Sequence, residues 1–369
     1  MTPMPASPLA KLIEHEIETT GPIPLARYMT LALSHREYGY YMKGDPFGAQ
    51  GDFTTAPEIS QMFGEMLGLW CADTWTKALS GQRVFLAELG PGRGTLMADA
   101  LRAARVAPAF FEAAEIHLVE TSPFLRKCQN STLAQSGKSV LWHDRFEDLP
   151  KGPVLVLANE LLDALPFHQF ERRDGHWHER CVAIGPDGGF CFGLAPDPCL
   201  PGLIPPGLAA TDAANDEGAI FEISPQRQLL VEALAARLKK YGGAALIIDY
   251  GHDQPGTGDT FQAMRRHGYA DPLLAPGDAD LTSHVDFHAL ALAAIGAGAR
   301  VAGIAAMGPF LQAMGIDARA ENLKAADNGK SAKDIDDAIC RLTASDQMGS
   351  LFKVLALCGP TGPLPAPFG

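Results

Sequence analysis

Three short stretches carry residue types that could do chemistry together. Glu88-Leu89-Gly90-Pro91-Gly92-Arg93-Gly94 sets an acid two residues ahead of glycines at alternate positions. Asn159-Glu160-Leu161-Leu162-Asp163 puts an amide beside two carboxylates, and Glu120 closes the apolar run Ile116-His117-Leu118-Val119. Glycines at alternate positions let the backbone approach a ligand closely, because no Cβ intervenes and positive φ is allowed. A helix behind such a loop adds unpaired N–H groups. Dinucleotides prefer G-x-G-x-x-G with the pyrophosphate over the helix terminus. Here the third glycine, Gly94, comes one place early and Thr95 takes the later position. Glu88 would repel a pyrophosphate but could hold a cationic ammonium or sulfonium group. That pair of features favours S-adenosylmethionine over NAD. A carboxylate at Glu120 can accept ribose hydroxyls; dehydrogenases use the same device, so it supports a nucleoside cofactor without choosing between the two.

These residues need a frame that brings them to one edge. Val84 to Leu89 reads as a buried strand, and Thr95, Leu96, Met97 and Leu101 begin a helix. Ile116 to Val119, Val140 to Trp142, Val154 to Ala158 and Ala244 to Asp249 follow as strands, with Ser122-Pro123 opening a helix between the second and third. Strands alternating with helices predict a doubly wound parallel sheet, which binds ligands at the carboxyl ends of its strands. Glu88, Glu120, Asp144, Asn159, Glu160 and Asp249 all fall at or just past such ends. Arg300 to Ile304 and Leu351 to Leu357 read as the last strands, and a polar helical stretch from Asp317 to Ser345 as their cover.

Residues 1–80 read as a helical region. Leu9, Leu12, Ile13 and Ile17 recur at helical spacing up to Gly21, and Leu25, Tyr28, Met29 and Ala32 repeat the pattern after Pro24. The aromatic and glycine-rich stretch from Tyr38 to Phe53 reads as a surface connection or as a lid over a cofactor. Thr55-Ala56-Pro57-Glu58 has capping-box spacing, ahead of the apolar face Ile59, Met62, Phe63, Met66, Leu67 and Trp70. Residues 166–241 read as an insertion into a core formed by 81–165 and 242–369. Within it Asp174-Gly175 is a hairpin signal, Phe190 to Leu194 adds a strand, and Ala195 to Asp216 is an acidic loop without Lys or Arg. An insertion over the rim is the natural substrate-binding piece.

At 369 residues, with 47% hydrophobic and 20% charged side chains, the composition is that of a globular protein able to bury a large core. A formal net charge of −13 and the lack of a Lys/Arg stripe argue against a nucleic-acid partner and are compatible with a basic peptide. The seven cysteines are scattered and never spaced C-x-x-C, so neither a disulfide framework nor a zinc site is indicated. His284 and His288 stand four apart with Asp286 between them, but no third ligand follows, and the stretch reads as a helix start capped by Thr282 or Ser283. No apolar run is long enough to span a bilayer, and the first twenty residues lack signal or transit-peptide character. A cytoplasmic protein with no metal and no membrane insertion is the expectation.

Taken together, GDFTTAPEISQMFG (Gly51 to Gly64), ELGPGRGTLMAD (Glu88 to Asp99), NELLDALPF (Asn159 to Phe167), IIDYGH (Ile247 to His252), DLTSHVDF (Asp280 to Phe287) and QMGSLFKVL (Gln347 to Leu355) resemble the MidA-like methyltransferases, in the family's order and across nearly the whole chain. That family includes a mitochondrial complex I assembly factor that methylates a protein arginine. The resemblance implies a class I methyltransferase fold, α/β with a Rossmann-like seven-stranded sheet whose last strand is antiparallel. It implies S-adenosylmethionine as cofactor and, as acceptor, an arginine of the complex I subunit of 49-kilodalton type. By motif, Glu88, Gly90, Gly92 and Gly94 would cradle the methionine end, Glu120 the ribose and Asp144 the adenine. Asn159 would border the methyl group, with Asp52 and Thr54 completing the cofactor contacts. Glu160 is the candidate for aligning the acceptor guanidinium, with Glu222 and Asp163 as further catalytic carboxylates. Two other readings stay open: a non-catalytic assembly chaperone that keeps the fold, and an NAD(P)-dependent oxidoreductase, which Glu88 and the early third glycine oppose.

Overall fold

The structure, a computed structural model, describes residues 7–43, 55–205, 207–208, 215–266, 268–326 and 331–369. Residues 44–54, which take in most of the Tyr38 to Phe53 stretch, and part of the acidic loop (206 and 209–214) therefore lie outside the described residues; of that stretch, Tyr40–Lys43 is a helical turn. The chain forms two compact units. The larger comprises Thr54–Leu162, Leu229–Asp253 and Leu290–Gly369, and the smaller Met1–Phe53, Asp163–Gln228 and Gln254–Ala289.

The larger unit is built on β1 (Val84–Leu89), β2 (Ala114–Val119), β3 (Val140–His143), β4 (Val154–Asn159), β5 (Gly243–His252), β6 (Arg300–Ala306) and β7 (Phe352–Cys358). Their order in the sheet is β6-β7-β5-β4-β1-β2-β3. β1 through β5 run parallel, and β7 inserts antiparallel between β5 and β6. Continuous apolar runs made these strands, because a parallel sheet is covered on both faces; all six residues of β4 are buried.

Helix Gln61–Ala78 covers one face and packs on the glycine-loop helix Thr95–Ala104 at unusually close range. A Cβ on Gly68 would stand 2.3 Å from the Ala100 carbonyl oxygen, and one on Gly64 2.6 Å from Asp99 Cβ. The buried Glu65 carboxylate accepts from Arg102 (3.0 Å) and from Arg319 of helix Ile316–Ala326 (2.7 Å), so one acid ties three helices. The expected single helix from Thr55 is instead broken. Ala56–Ile59 makes one turn, Ser60 is extended (φ −158°, ψ 135°), and its hydroxyl accepts from Met62 N–H to start the long helix. Glu58 is not turned back as a capping box requires; it reaches Thr95 instead.

In the smaller unit the strands Ile23–Pro24, His176–Ile184, His168–Arg173 and Ile220–Ile223 are neighbours in that order, with Phe190–Pro198 paired onto His176–Ile184. The turn Asp174-Gly175 has positive φ at both residues (52° and 78°), the geometry its sequence predicts. Phe190–Pro198 outlasts the expected strand end at Leu194. The N-terminal helices Pro8–Thr20 and Leu25–Ser34 bury Leu9, Ile13, Leu25, Tyr28 and Met29 against Phe167, Val182 and Leu281. The helix beginning at Phe287 is capped by neither Thr282 nor Ser283: Asp286 accepts from Ala289 N–H at 2.9 Å, while Thr282 ends a strand.

Gly68→Ala is expected to lower the thermal midpoint by several degrees, because overpacking of this kind costs about 1 to 3 kcal/mol. An unchanged midpoint in a thermal scan would show that the two helices separate without penalty.

Candidate active site

The polar rim of the larger unit is assembled by the turns that leave β1, β2 and β4. After β1 the chain passes through Gly90, Gly92 and Gly94, all left-handed (φ 63°, 51° and 83°), and enters the helix at Thr95 with no side-chain cap. Gly90 N–H continues the ladder to Val119 O at 3.1 Å. A Cβ on Gly90 would come within 2.8 Å of Leu161 Cδ1, and one on Gly94 within 3.4 Å of Gln129 Cα. The loop is thus pressed between the residues that follow β2 and β4, and only glycine gives both the φ and the room.

Glu88 lies under this loop, 2% exposed. Its carboxylate accepts from Met97 N–H, whereas its Oε2 is buried with no hydrogen-bond partner among the described residues. Burial pushes its carboxyl well above the ordinary carboxylate range, outweighing the Met97 hydrogen bond. An orphaned carboxylate oxygen beneath a glycine cradle fits a group that brings a cation and N–H donors, as the ammonium of a methionine moiety does.

Glu120 follows β2, 9% exposed. Its Oε1 accepts from Ser122 N–H (2.7 Å) and its Oε2 from Gln129 Nε2 (3.2 Å), leaving acceptor capacity on both oxygens. Burial raises this carboxyl too, with the Ser122 and Gln129 hydrogen bonds pulling the other way. Gln129 is the joint of the site. Trp142 Nε1 donates to its Oε1 (2.8 Å), which turns its Nε2 toward Gly92 O (2.8 Å) and Glu120. Asp144, past β3, is largely exposed and bonds Arg126 at 2.6 Å, while Arg126 Nε also donates to Glu120 O at 2.8 Å.

At the end of β4 Asn159 is buried, donates from Nδ2 to Glu160 Oε1 (3.0 Å) and leaves its Oδ1 without a partner among the described residues. Glu160 is one of few non-glycine residues with positive φ, 48°. That conformation costs an L-residue about 1 to 2 kcal/mol and persists where the surroundings enforce it. Glu160 N–H donates to Ile248 O at 2.9 Å, and Ala56 N–H donates to Glu160 Oε1 at 2.8 Å. The half-buried carboxylate is therefore aimed from both ends.

The structure thus brings Glu88, Gly90, Gly92, Gly94, Glu120, Asp144, Asn159 and Glu160 to the carboxyl ends of β1 to β4 in one unit. Asp163 and Glu222 belong to the smaller unit. Glu222 accepts from Thr260 N–H (2.9 Å), Thr260 Oγ1 (2.5 Å) and Gln169 Nε2 (2.7 Å), an arrangement that holds the Asp259-Thr260 loop. The Asp163 carbonyl accepts from Arg227 Nη2 (3.0 Å) and Ser283 N–H (3.1 Å). Asp52 and Thr54 lie outside the described residues. Gln129 was not anticipated, although a signal exists: it stands four residues from both Leu125 and Leu133, in the buried stripe of helix Pro123–Leu133. An amide in an apolar stripe asks for partners.

A sheet of this order with an antiparallel last strand, a glycine loop after β1 and acids closing β1 and β2 defines the class I S-adenosylmethionine-dependent methyltransferases. A crystal structure of a Burkholderia thailandensis protein bound to S-adenosyl-homocysteine superposes with a TM-score of 0.86 at 31% identity, covering 99% of this chain and 97% of that one. The chain belongs to the Methyltransf_28 family of S-adenosyl-L-methionine-dependent methyltransferases, whose model matches residues 66–305. It is 39% identical over 377 residues to the protein arginine methyltransferase NDUFAF7 homolog, mitochondrial, of Drosophila melanogaster (95% of this chain, 84% of that protein). It is 37% identical to protein arginine methyltransferase NDUFAF7, mitochondrial, of Danio rerio (95% and 86%). The cofactor is S-adenosylmethionine, as the sequence motifs imply, and NAD(P) chemistry is set aside.

Because the folded carboxyl of Glu88 has a raised pKa, its contribution to stability is full below its ordinary value near 4.5 and is lost as pH rises through the raised value. Glu88→Gln should therefore raise the thermal midpoint of the cofactor-free protein at neutral pH. A bound ammonium favours the ionised form, so S-adenosylhomocysteine affinity should increase with pH across the same window and lose that dependence in Glu88→Gln. Calorimetric titrations with identical pH profiles for the two proteins would contradict this.

Proposed function

We propose that this methyltransferase acts on a protein arginine, in the complex I subunit of 49-kilodalton type. The observation that carries the reading is Glu160: a carboxylate next to the cofactor rim, held in left-handed backbone and oriented by Ala56 N–H and Asn159. The printed names of the relatives, protein arginine methyltransferases, support the same acceptor. Bound S-adenosylmethionine supplies an electrophilic methyl group, so the protein's task is to position a poor nucleophile. Guanidinium lone pairs are delocalised, and a carboxylate that grips two of its N–H groups aligns the remaining nitrogen and draws positive charge away from it. Glu160 Oε1 already accepts two hydrogen bonds that fix its plane, and the chain's net charge of −13 favours approach of a basic segment. Glu88, Glu120 and the three glycines hold the cofactor in this scheme, with Asp144 at its adenine end.

Glu160→Gln should keep the fold and the S-adenosylhomocysteine affinity while slowing methyl transfer. Loss of a charge-assisted bidentate contact worth about 2 to 4 kcal/mol in the transition state corresponds to roughly thirty- to a thousandfold. The measurement is single-turnover transfer of labelled methyl to the purified subunit, with the modified residue mapped by mass spectrometry. An unchanged rate removes Glu160 from the mechanism. Methylation at a residue other than arginine overturns the acceptor assignment, and tight cofactor binding without transfer to the verified subunit would favour a chaperone role.

A further inference from the structure

The turn between Thr55 and Ser60 touches both functional corners of the rim. Its first N–H, from Ala56, holds Glu160 Oε1 at 2.8 Å. Two residues on, Glu58 Oε1 accepts from Thr95 Oγ1 at 2.7 Å, and Glu58 Oε2 stands 4.0 Å from Arg93 Nη1. Thr95 is the first residue of the glycine-loop helix and Arg93 lies inside the loop, so Glu58 is tied to the cofactor cradle by an uncharged and a charged contact. The break at Ser60 is what makes this possible. With a regular capping box Glu58 would turn back to Thr55; the extended Ser60 instead separates the one-turn helix from Gln61–Ala78 and frees the Glu58 side chain for Thr95.

Behind the turn the support is stiff. Helix Gln61–Ala78 is locked onto the glycine-loop helix through Gly64 and Gly68, where even a methyl group has no room. A displacement of the glycine loop therefore reaches the Ala56 amide both through Glu58 and through the packed helices, and the Glu58 route is removable by a single side chain without touching the helix contact.

We propose that Glu58 is a positioning residue for methyl transfer: its grip on Thr95 and Arg93 fixes the turn whose Ala56 N–H orients the Glu160 carboxylate, and thereby couples occupancy of the glycine loop to the direction in which Glu160 faces the acceptor. This rests on the reading of Glu160 given above. It requires no change in bulk structure. It also gives a reason for an acid at position 58, where the adjacent turn needs none.

The test compares single-turnover methyl transfer at saturating S-adenosylmethionine in the unmutated protein, Glu58→Ala, Glu160→Gln and the double variant. Glu58→Ala should slow transfer by about three- to tenfold, the worth of one hydrogen bond, and should have no further effect once Glu160 is already Gln. Equal slowing in both backgrounds would mean that Glu58 acts elsewhere and would overturn the proposal. Glu58→Gln, which keeps an acceptor for Thr95 Oγ1, should recover most of the loss. A second readout does not depend on Glu160 being catalytic. Hydrogen exchange of the peptide containing Ala56 should slow on addition of S-adenosylhomocysteine, and this slowing should disappear in Glu58→Ala. If Glu160→Gln leaves the rate intact, the reading of Glu160 fails by itself; if cofactor protects the Ala56 peptide equally with and without Glu58, the coupling fails.

Discussion

Burying a carboxylate without a counter-charge opposes folding unless something in the functional state meets it. Glu88 is in that position. It is the last acid of β1 before the glycine loop, it is buried, and one of its oxygens has no partner among the described residues. Asn159 Oδ1, at the end of the neighbouring β4, is a second buried acceptor in the same state. Two unmet acceptors at neighbouring strand ends, beside a loop with three left-handed glycines, suit a group that is cationic and rich in N–H donors. The remaining architecture of the larger unit holds these acceptors in place. Gln129 fixes the loop to Glu120, Trp142 fixes Gln129, and the glycine-mediated contact of two helices holds the loop from behind.

The segment from Asn159 to Phe167 shows how several distant motifs serve one geometry. Leu162 N–H donates to the fully buried Asp249 carboxylate at 2.9 Å, which explains the acid in IIDYGH. Arg227 donates to the carbonyls of Asp163 (3.0 Å), Leu165 (3.3 Å) and His284 (2.8 Å) and to Ser283 Oγ (2.7 Å), and Ser224 Oγ donates to Pro166 O at 2.7 Å. An irregular buried backbone needs these partners for its carbonyls. Ser283 of DLTSHVDF together with Ser224 and Arg227 at the start of helix Pro225–Tyr241 supply them, so these stretches hold the backbone from Asp163 to Pro166.

Much of this was legible in the sequence. Parallel strands announce themselves as apolar runs, and the acids Glu88, Glu120 and Glu160 stand out because a charge at or just past the end of such a run sits at the sheet's edge. The loop glycines at 90, 92 and 94 could be read for the same reason: alternate glycines are costly unless positive φ is needed. What escaped depended on partners remote in the chain. Nothing near Glu58 reveals that Ser60 will be extended and send its side chain to Thr95, and the capping-box spacing pointed the other way. Asp286 replaced Thr282 and Ser283 as the cap because a strand, whose pairing with Gln262 lies across a loop, occupies Thr282. Nothing near Glu65 shows that the guanidinium groups of Arg102 and Arg319 will meet it inside the fold. Tertiary hydrogen bonds are decided by the fold, whereas periodicity and punctuation are local.

The central claim, that the unmet carboxylate beneath the glycine loop is the anchor for the cofactor's cationic end, is tested most directly by a crystal structure of this protein with S-adenosylhomocysteine. The account predicts the homocysteine ammonium within hydrogen-bonding distance of Glu88 Oε2, with the ribose hydroxyls on Glu120 and no rearrangement of Gln129. Ligand density that leaves Glu88 Oε2 without a donor, or that places the ribose away from Glu120, would contradict it.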